Sequence, residues 1–261
     1  MLFRSNKLLK RIYDTDIMDA DQIVNDYIEF DQRIDPYVKD VSVLINRDID
    51  DGKRVLLEGA QGTMLDIDFG TYPYVTSSNP IAGGACTGLG VGPTRITRAL
   101  GIAKAYTTRV GMGPFPTEFD ETFGDYIRQL GGEYGATTGR PRRCGWLDIV
   151  VLRMAAMLNG LTDLAITKLD VLDKLDEIKI CTGYRYDGRT MEHYPADLAI
   201  QEKVEPIYES HPGWKCSTRE ARTFADLPPA AQKYLRRIEE LCQVPLSIIS
   251  VGSQRKQTIM L

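Results

Sequence analysis

Apolar residues recur along the chain at two spacings, and these spacings predict alternating helices and strands. Apolar positions three and four residues apart predict helices over residues 16–30, 34–47, 119–130, 146–158 and 228–242. Short apolar runs predict buried strands over residues 55–59, 102–110, 164–167 and 246–250. Because helices separate the strands, the pattern favours an α/β fold with a mainly parallel central sheet and helices on both faces.

The same pattern indicates how the chain is organised. Its 261 residues fit one α/β domain, with residues 1–50 as a helical lead-in and residues 51–261 carrying the candidate chemistry. Two smaller domains are the alternative. Residues 63–92 are rich in Gly, Thr and Ser, which is typical of a long ligand-covering loop or of a linker. Embedded apolar residues such as Tyr72 and Tyr74 favour the loop, since flexible linkers are polar.

Composition restricts the partners and the location of the protein. The formal net charge is -4, which argues against binding to nucleic acid or to an anionic membrane surface. The five cysteines are odd in number and widely spaced, so neither a disulfide framework nor a zinc site is indicated. We therefore expect a cytoplasmic protein. No apolar run approaches the length of a membrane-spanning helix.

A lysine and an aspartate follow the predicted strand at residues 164–167, in the sequence LAITKLD. An aspartate carboxylate can accept hydrogen bonds from the ring N–H and the exocyclic amine of guanine, which adenine cannot supply. Lys168 and Asp170 are therefore a candidate guanine reader, since parallel sheets bind ligands at the carboxyl ends of their strands. The same letters also fit a solvated charged face, because charged residues alternate in VLDKLDEI.

A second candidate is the segment ATTGRPRRCGW, residues 136–146, which holds three arginines. Planar guanidinium groups suit carboxylate and phosphate ligands, so this segment predicts an anion site. An exposed basic turn is the alternative, although Pro141 stiffens the segment and Trp146 anchors its end. For Arg143 we expect a structural role near Asp148. Residues 110–118, VGMGPFPTE, indicate only a rigid loop.

Together these segments resemble the adenylosuccinate synthetases, the GTP-dependent enzymes that join IMP to L-aspartate. The resemblance rests on EGAQGTMLDIDFGTYPYVTSSN, TRVGMGPFPTE, TTGRPRRCGWLD, TKLDVL and the closing SVG, which stand in the family's order. It covers residues 20–261. It implies a homodimer in which GTP phosphorylates the 6-oxygen of IMP before the aspartate amine displaces that phosphate.

The resemblance also implies which residues bind each substrate. The implied IMP contacts are Gln61, Thr76 and Arg140. The implied aspartate contacts are Val110, Ala136, Thr137, Thr138, Gly139, Arg140, Pro141 and Arg142. The implied GTP contacts are Arg142, Lys168, Leu169, Asp170, Ser250, Val251 and Gly252. Arg140 and Arg142 would stabilise negative charge rather than act as acid or base.

The sequence departs from the family in its first part. Family members carry a Gly-Asp-Glu-Gly-Lys-Gly phosphate loop, whose Asp is base and Mg²⁺ ligand, and then a catalytic His. Neither motif occurs here, since residues 1–51 contain no glycine and His193 and His211 lie in other contexts. The resemblance thus implies the C-terminal portion of the enzyme, with no catalytic base and no metal ligand in this chain.

Two expectations follow for the isolated chain. It should not make adenylosuccinate from IMP, GTP and aspartate, because the base and the metal ligand are missing. It should also expose an unpaired sheet edge and apolar surface where strands of the family's central sheet are absent. The alternative function is a non-catalytic guanine-nucleotide-binding or regulatory module that keeps the guanine and anion contacts.

Overall fold

A computed structural model of the chain describes residues 2–137 and 139–261. Thr138, one of the implied aspartate contacts, therefore lies outside the described residues. The chain divides into two compact units, one that ends at Val55 and one that spans Leu56–Leu261. The single domain over residues 1–261 stays a prediction.

The first unit is helical. Its helices are α1 (Leu2–Arg11), α2 (Ala20–Ile34) and α3 (Val41–Asp50). Asp19 begins α2 because its carboxylate accepts hydrogen bonds from the backbone N–H groups of the first turn. This cap explains why the helix predicted from residue 16 starts later. The helix predicted over residues 34–47 is interrupted by a 3-10 turn that contains Pro36, and α3 begins only after it.

The second unit is mixed α/β. Its helices are α4 (Ala82–Leu89), α5 (Glu121–Gly131), α6 (Ile149–Asn159), α7 (Leu198–Gln201) and α8 (Pro229–Cys242). Its strands are β1 (Leu100–Lys104), β2 (Thr107–Arg109), β3 (Arg143–Gly145), β4 (Leu147–Asp148), β5 (Asp163–Thr167), β6 (Glu177–Tyr186), β7 (Arg189–Met191), β8 (Glu205–Pro212), β9 (Leu246–Ser250) and β10 (Thr258–Met260). Across the part of the chain that is described, no helix is both long enough and apolar enough to cross a membrane.

The central sheet has the strand order β1-β5-β9-β10. β1 and β9 both pair with β5 in parallel, and only β10 runs antiparallel to its neighbour. The mainly parallel sheet predicted from the sequence is therefore confirmed. Because the three parallel strands share one direction, the residues that follow Lys104, Thr167 and Ser250 lie at the same edge. We call this the carboxyl edge.

A second sheet was not predicted. Its central strand β6 pairs in parallel with β4 and antiparallel with β7 and β8. β2 and β3 form a separate antiparallel pair. The predicted strand over residues 102–110 is thus two strands in different sheets, with a bend at Ala105–Tyr106 between them. Residues 63–92 are less irregular than expected, since they contain α4.

One predicted strand is wrong. Residues 55–59, VLLEG, form no strand and pair with no other described segment. Leu56 is 89% exposed instead of buried. An apolar run becomes a strand only where a neighbouring strand supplies partners for its backbone N–H and C=O groups. Among the described residues, none does so here.

The core of the second unit lies between the central sheet and its helices. Leu164 and Ile166 of β5 and Ile249 of β9 are fully buried, as the apolar runs of these strands predicted. Tyr234 of α8 is also fully buried, and its hydroxyl donates to the carbonyl of Ala105 at 2.6 Å. This contact fastens α8 to the chain directly after β1, next to the carboxyl edge.

Asp148 is a buried carboxylate at the start of α6. Its Oδ1 accepts from the backbone N–H groups of Val150 and Val151 at 3.0 and 3.2 Å, and its Oδ2 accepts from the Tyr184 hydroxyl at 2.5 Å. Burial raises the pKa of Asp148 to about 6, although these hydrogen bonds and the charge of Arg153 act to lower it. Ionisation of Asp148 in the folded protein therefore costs free energy.

This pKa predicts a loss of stability as the pH rises. In the folded chain, Asp148 keeps its proton up to about pH 6. In the unfolded chain, it loses the proton at about pH 4. Between these values the unfolded state binds fewer protons, so the free energy of unfolding falls by up to about 3 kcal/mol. Asp148→Asn keeps a helix cap without titrating. We expect wild type to lose stability relative to this variant from pH 4 to pH 7, as measured by urea unfolding, and a constant difference would contradict the assignment.

Candidate functional site

The candidate guanine reader lies at the carboxyl edge of the central sheet. Lys168 follows β5 directly in the left-handed conformation, with φ of 63°, and a short 3-10 turn over Leu169–Leu172 comes next. The Lys168 ammonium donates to the carbonyl of Gly131 at 2.6 Å. Leu169 is fully buried in the core, so any contact of this residue with a nucleotide would be made by its backbone. The alternative of a freely solvated charged face does not fit these residues.

Asp170 is held by an arginine that the sequence did not point to. Its carboxylate Oδ2 accepts from Nε and Nη2 of Arg219 at 3.2 and 3.1 Å. The side chain of Asp170 is 8% exposed, whereas that of Arg219 is 60% exposed. Among the described residues, the other carboxylate oxygen has no hydrogen-bond donor. Oδ1 is therefore the candidate acceptor for a nucleotide base.

The loop after β9 lies beside this pair. Gln257 donates from its side chain to the carbonyl of Arg219 at 3.4 Å, and its backbone carbonyl accepts from Val251 N at 2.9 Å. A side chain at Gly252 would collide with that of Gln257. Val251 is fully buried, and the Ser250 hydroxyl donates to the carbonyl of Gly252 at 2.9 Å. The structure thus brings the residues after β5 and β9 together, and their joint role in binding guanine stays a prediction.

The arginine segment connects α5 to β3. Ala136, Thr137, Gly139, Arg140 and Pro141 are exposed. The segment turns tightly, because the N–H of Gly139 donates to the carbonyl of Gly135 and the N–H of Gly135 donates to the carbonyl of Arg140, both at 2.8 Å. Gly139 has φ of 64°, a conformation that a residue with a side chain rarely adopts. The candidate anion-binding groups are therefore accessible to a ligand.

Arg142 is anchored at the end of this segment. Its Nη1 donates to the buried carboxylate of Glu133 at 2.8 Å. Its backbone carbonyl accepts from Nε of Arg128 at 2.7 Å. The side chain remains 31% exposed, so the guanidinium is fixed at its base and still reachable from solvent. A guanidinium that is fixed at its base and exposed at its tip suits the binding of a phosphate group.

Arg143 differs from its prediction. Its Nε donates to Glu118 at 2.6 Å and its Nη1 to the carbonyl of Gly113 at 2.8 Å. The expected role near Asp148 is wrong, because β3 pairs with β2 and this pairing directs Arg143 towards the loop after β2. Arg143 thus fastens the rigid loop at residues 110–118 to the arginine segment.

Two of the implied IMP contacts, Gln61 and Thr76, lie in the chain before β1. Gln61 is exposed and has φ of 61°, and the Thr76 hydroxyl donates to the carbonyl of Leu65 at 3.2 Å. Val110 is 50% exposed directly after β2. Among the described residues, no hydrogen bond or ion pair joins Gln61 or Thr76 to Lys168 or Asp170. Their part in one common site stays a prediction.

Arg109 connects the loop at residues 63–92 with the loop at residues 110–118. Its Nη2 donates to the Thr71 hydroxyl at 2.8 Å and to the Tyr74 carbonyl at 3.1 Å, and its Nε donates to the Met112 carbonyl at 3.0 Å. Burial lowers the pKa of Arg109 from its ordinary value. Residues 63–92 and 110–118 are therefore held together by one partly buried cation.

A shallow cavity of about 370 Å³ lies next to this connection. Its lining includes Tyr74, Phe115, Arg143 and Val204. None of the residues implied to bind IMP, aspartate or GTP lines it. We assign the candidate site to the carboxyl edge instead, because the charged groups suited to a nucleotide lie there.

The described residues hold no group of three or more His, Cys, Asp or Glu side chains that could bind a metal ion. The contacts proposed for this site join protein groups directly to the substrates.

The fold and this edge define an α/β protein that presents a candidate ligand site at the carboxyl ends of its parallel strands. The family model for adenylosuccinate synthetase matches residues 1–259. The chain belongs to the adenylosuccinate synthetase family.

Individual relatives agree with this assignment. The chain is 57% identical to an adenylosuccinate synthetase of Salinibacter ruber, with 97% of the chain and 58% of that protein covered. It is 54% identical to one of a Synechococcus strain, with 98% and 57% covered. A structure described as fully ligated adenylosuccinate synthetase from Plasmodium falciparum matches with a TM-score of 0.91 at 40% identity, covering 99% of this chain and 62% of that one. The chain thus spans less than two thirds of the length of these relatives.

Proposed function

We propose that this protein contributes the guanine-, aspartate- and part of the IMP-binding groups of an adenylosuccinate synthetase. That activity is the GTP-dependent ligation of IMP and L-aspartate to adenylosuccinate, with release of GDP and phosphate. The observation that carries the proposal is the position of Lys168 and Asp170 beside residues 250–252 at the carboxyl edge. Membership of the family supports it.

Asp170 would read the base. Its ionised carboxylate offers only acceptors, and guanine presents an N1–H and a 2-amino group side by side. Adenine presents an acceptor at N1, which a carboxylate repels. The stem of Lys168 would lie along the base, and the backbone of residues 250–252 would border it. Leu169 and Val251 would contribute backbone groups alone, because their side chains are buried.

The arginine segment would bind the anionic parts of the substrates. Arg142 would contact the GTP phosphates, and Arg140 would contact both IMP and aspartate. The γ-phosphoryl group passes to the 6-oxygen of IMP, and the aspartate nitrogen then forms the new C–N bond as phosphate leaves. Both steps concentrate negative charge that a fixed guanidinium stabilises. Gln61 and Thr76 would position IMP, and Val110 and the 136–142 segment would position aspartate.

The remaining features of the family are also proposed for the whole protein. GTP would bind with Mg²⁺, which neutralises phosphate charge during transfer. A homodimer and a cytosolic location are proposed as well. The five cysteines carry no disulfide, which fits a reducing compartment.

The test of base recognition is a comparison of GTP with ATP. The two nucleotides carry the same triphosphate, so a difference in affinity isolates the contribution of the base. Hydrogen bonds to a charged group contribute about 1.5–3 kcal/mol, so GTP should bind at least about 10-fold more tightly. Isothermal titration calorimetry of the purified chain measures both dissociation constants. Equal affinities would contradict the proposal.

A further inference from the structure

Glu133 is a fully buried carboxylate on which two cations and a hydroxyl converge. Its Oε2 accepts from the Lys104 ammonium at 2.7 Å and from Nη1 of Arg142 at 2.8 Å. Its Oε1 accepts from the Tyr106 hydroxyl at 2.7 Å. Burial acts to raise the pKa of Glu133, but the hydrogen bonds from Lys104 and Tyr106 hold it below its ordinary value. The carboxylate is therefore ionised and fully satisfied inside the protein.

The position of Glu133 in the chain places it between two parts of the candidate site. It follows the end of α5, and the carbonyl of Gly131 two residues earlier accepts from Lys168. Its own backbone carbonyl accepts from the N–H of Arg142 at 2.9 Å. The turn at residues 131–133 thus touches the base-reading lysine on one side and the phosphate-binding arginine on the other. Neither the family match nor the substrate contacts implied by the resemblance assign a role to Glu133.

The contact has a physical consequence for Arg142. A free arginine side chain samples many rotamers, and a ligand that binds it must order it first. Glu133 engages one of five N–H donors, which removes most of this freedom and leaves donors for a ligand. Fixing one such side chain in advance is worth about 0.5–1.5 kcal/mol, which corresponds to roughly 2- to 12-fold in affinity.

We propose that Glu133 is a positioning residue that holds Arg142 ready for the phosphate groups of the nucleotide. This inference rests on the proposed function. Glu133 would not touch the substrate itself. It would act by keeping one guanidinium at a fixed place next to the base-reading turn.

Glu133→Gln tests the proposal, because glutamine keeps the size and an acceptor oxygen but removes the charge. We expect the variant to bind GTP about 10-fold more weakly and guanosine, which lacks phosphates, within about twofold of wild type. Arg142→Ala should also weaken GTP binding, and the double variant should bind GTP no more weakly than Arg142→Ala alone. Calorimetry measures all four proteins. Glu118→Gln, which alters the partner of Arg143, is the matched control and should leave GTP affinity unchanged.

A second measurement is independent of nucleotide binding. In the nucleotide-free chain, the side-chain N–H signals of Arg142 should be protected from solvent exchange in nitrogen-15 NMR spectra. Glu133→Gln should abolish this protection and leave the Arg128 signals unchanged. Circular dichroism checks that the variant is folded, and Glu133→Asp replaces Gln as the test variant if it is not.

Distinct results would overturn this inference and the proposed function. Equal binding of GTP and ATP by the unaltered chain contradicts the proposed function. The inference is overturned if Glu133→Gln weakens guanosine and GTP binding equally, or if its effect multiplies with that of Arg142→Ala. Unchanged exchange protection of Arg142 in the variant would also overturn it.

Discussion

Replacing Asp170 by asparagine is expected to move the base preference of the chain from guanine to xanthine nucleotides. Guanine offers two donors to the carboxylate, whereas an asparagine amide offers one acceptor and one donor. Xanthine carries a carbonyl in place of the 2-amino group, so it matches the amide. Because hydrogen bonds to a charged group contribute about 1.5–3 kcal/mol, GTP affinity should fall by roughly 10- to 100-fold. XTP affinity should rise in the same variant.

The Asp170→Asn substitution is expected to leave the surrounding structure unchanged. Asp170 and asparagine have the same shape, and an amide oxygen can still accept from Arg219. Asp176→Asn is the matched control, since it removes the same charge from a side chain that is 82% exposed and pairs with Lys215. Calorimetry with GTP, XTP and ATP distinguishes the outcomes. Unchanged GTP affinity in Asp170→Asn would show that Asp170 does not read the base.

Replacing Asp173 by alanine is expected to destabilise the second unit by about 3–5 kcal/mol. Its carboxylate accepts from Nε1 of Trp214 at 2.8 Å, and from the N–H and the hydroxyl of Thr218 at 2.9 Å each. Burial raises the pKa of Asp173 although these three bonds act to lower it. Removal of the acceptor would leave buried donors without a partner, at a cost of about 1–3 kcal/mol each.

This aspartate also fixes the segment from which Arg219 reaches Asp170. Thr218 precedes Arg219, so loss of the Asp173 contacts would loosen both. Urea unfolding should show the loss of stability, and the melting temperature should fall by roughly 10 °C. Asp176→Ala removes a carboxylate nearby in sequence from the surface, and we expect it to change stability by less than about 0.5 kcal/mol. A similar small effect for Asp173→Ala would contradict the prediction.

The sequence predicted the central sheet because its strands depend on local patterns, and it also placed Lys168 and Asp170 at the end of one of these strands. Leu164, Ala165 and Ile166 of the run LAIT are buried in β5, and these apolar side chains leave few alternatives to an interior strand. The residues at its end then follow from strand direction alone. Similarly, LSIIS forms β9 as predicted.

Other features depend on partners that the sequence does not reveal. The run VLLEG has the letters of a strand but no neighbour to pair with among the described residues. β6 was missed because its pattern mixes buried and exposed positions, and because its pairs with β8 run from Arg185 with Glu205 to Glu177 with Pro212, which are distant along the chain. Arg143 was misplaced since the pairing of β3 with β2, rather than its neighbours in sequence, sets its direction.

In the candidate site, too, the sequence did not reveal which residues touch each other. Arginines and a Lys-x-Asp sequence stand out by residue type, so they were found. Glu133 and Arg219 were missed because their significance lies in what they touch, and the contacts of Glu133 with Lys104 and of Arg219 with Asp170 join residues that are distant in sequence. The one available signal was that Glu133 lies three residues before the segment containing Arg140 and Arg142.

The carboxyl edge is built from distant parts of the chain, and this has a consequence for biosynthesis. Residue 100 pairs with residue 163, and residue 164 pairs with residue 246, so the edge requires three segments that are synthesised far apart in time. A nascent chain that has just passed residue 200 carries Lys168 and Asp170 but not β9. A ligand that needs the residues after both β5 and β9 can therefore stabilise only a chain in which β9 has already been made, and earlier stages of folding on the ribosome proceed without help from that ligand.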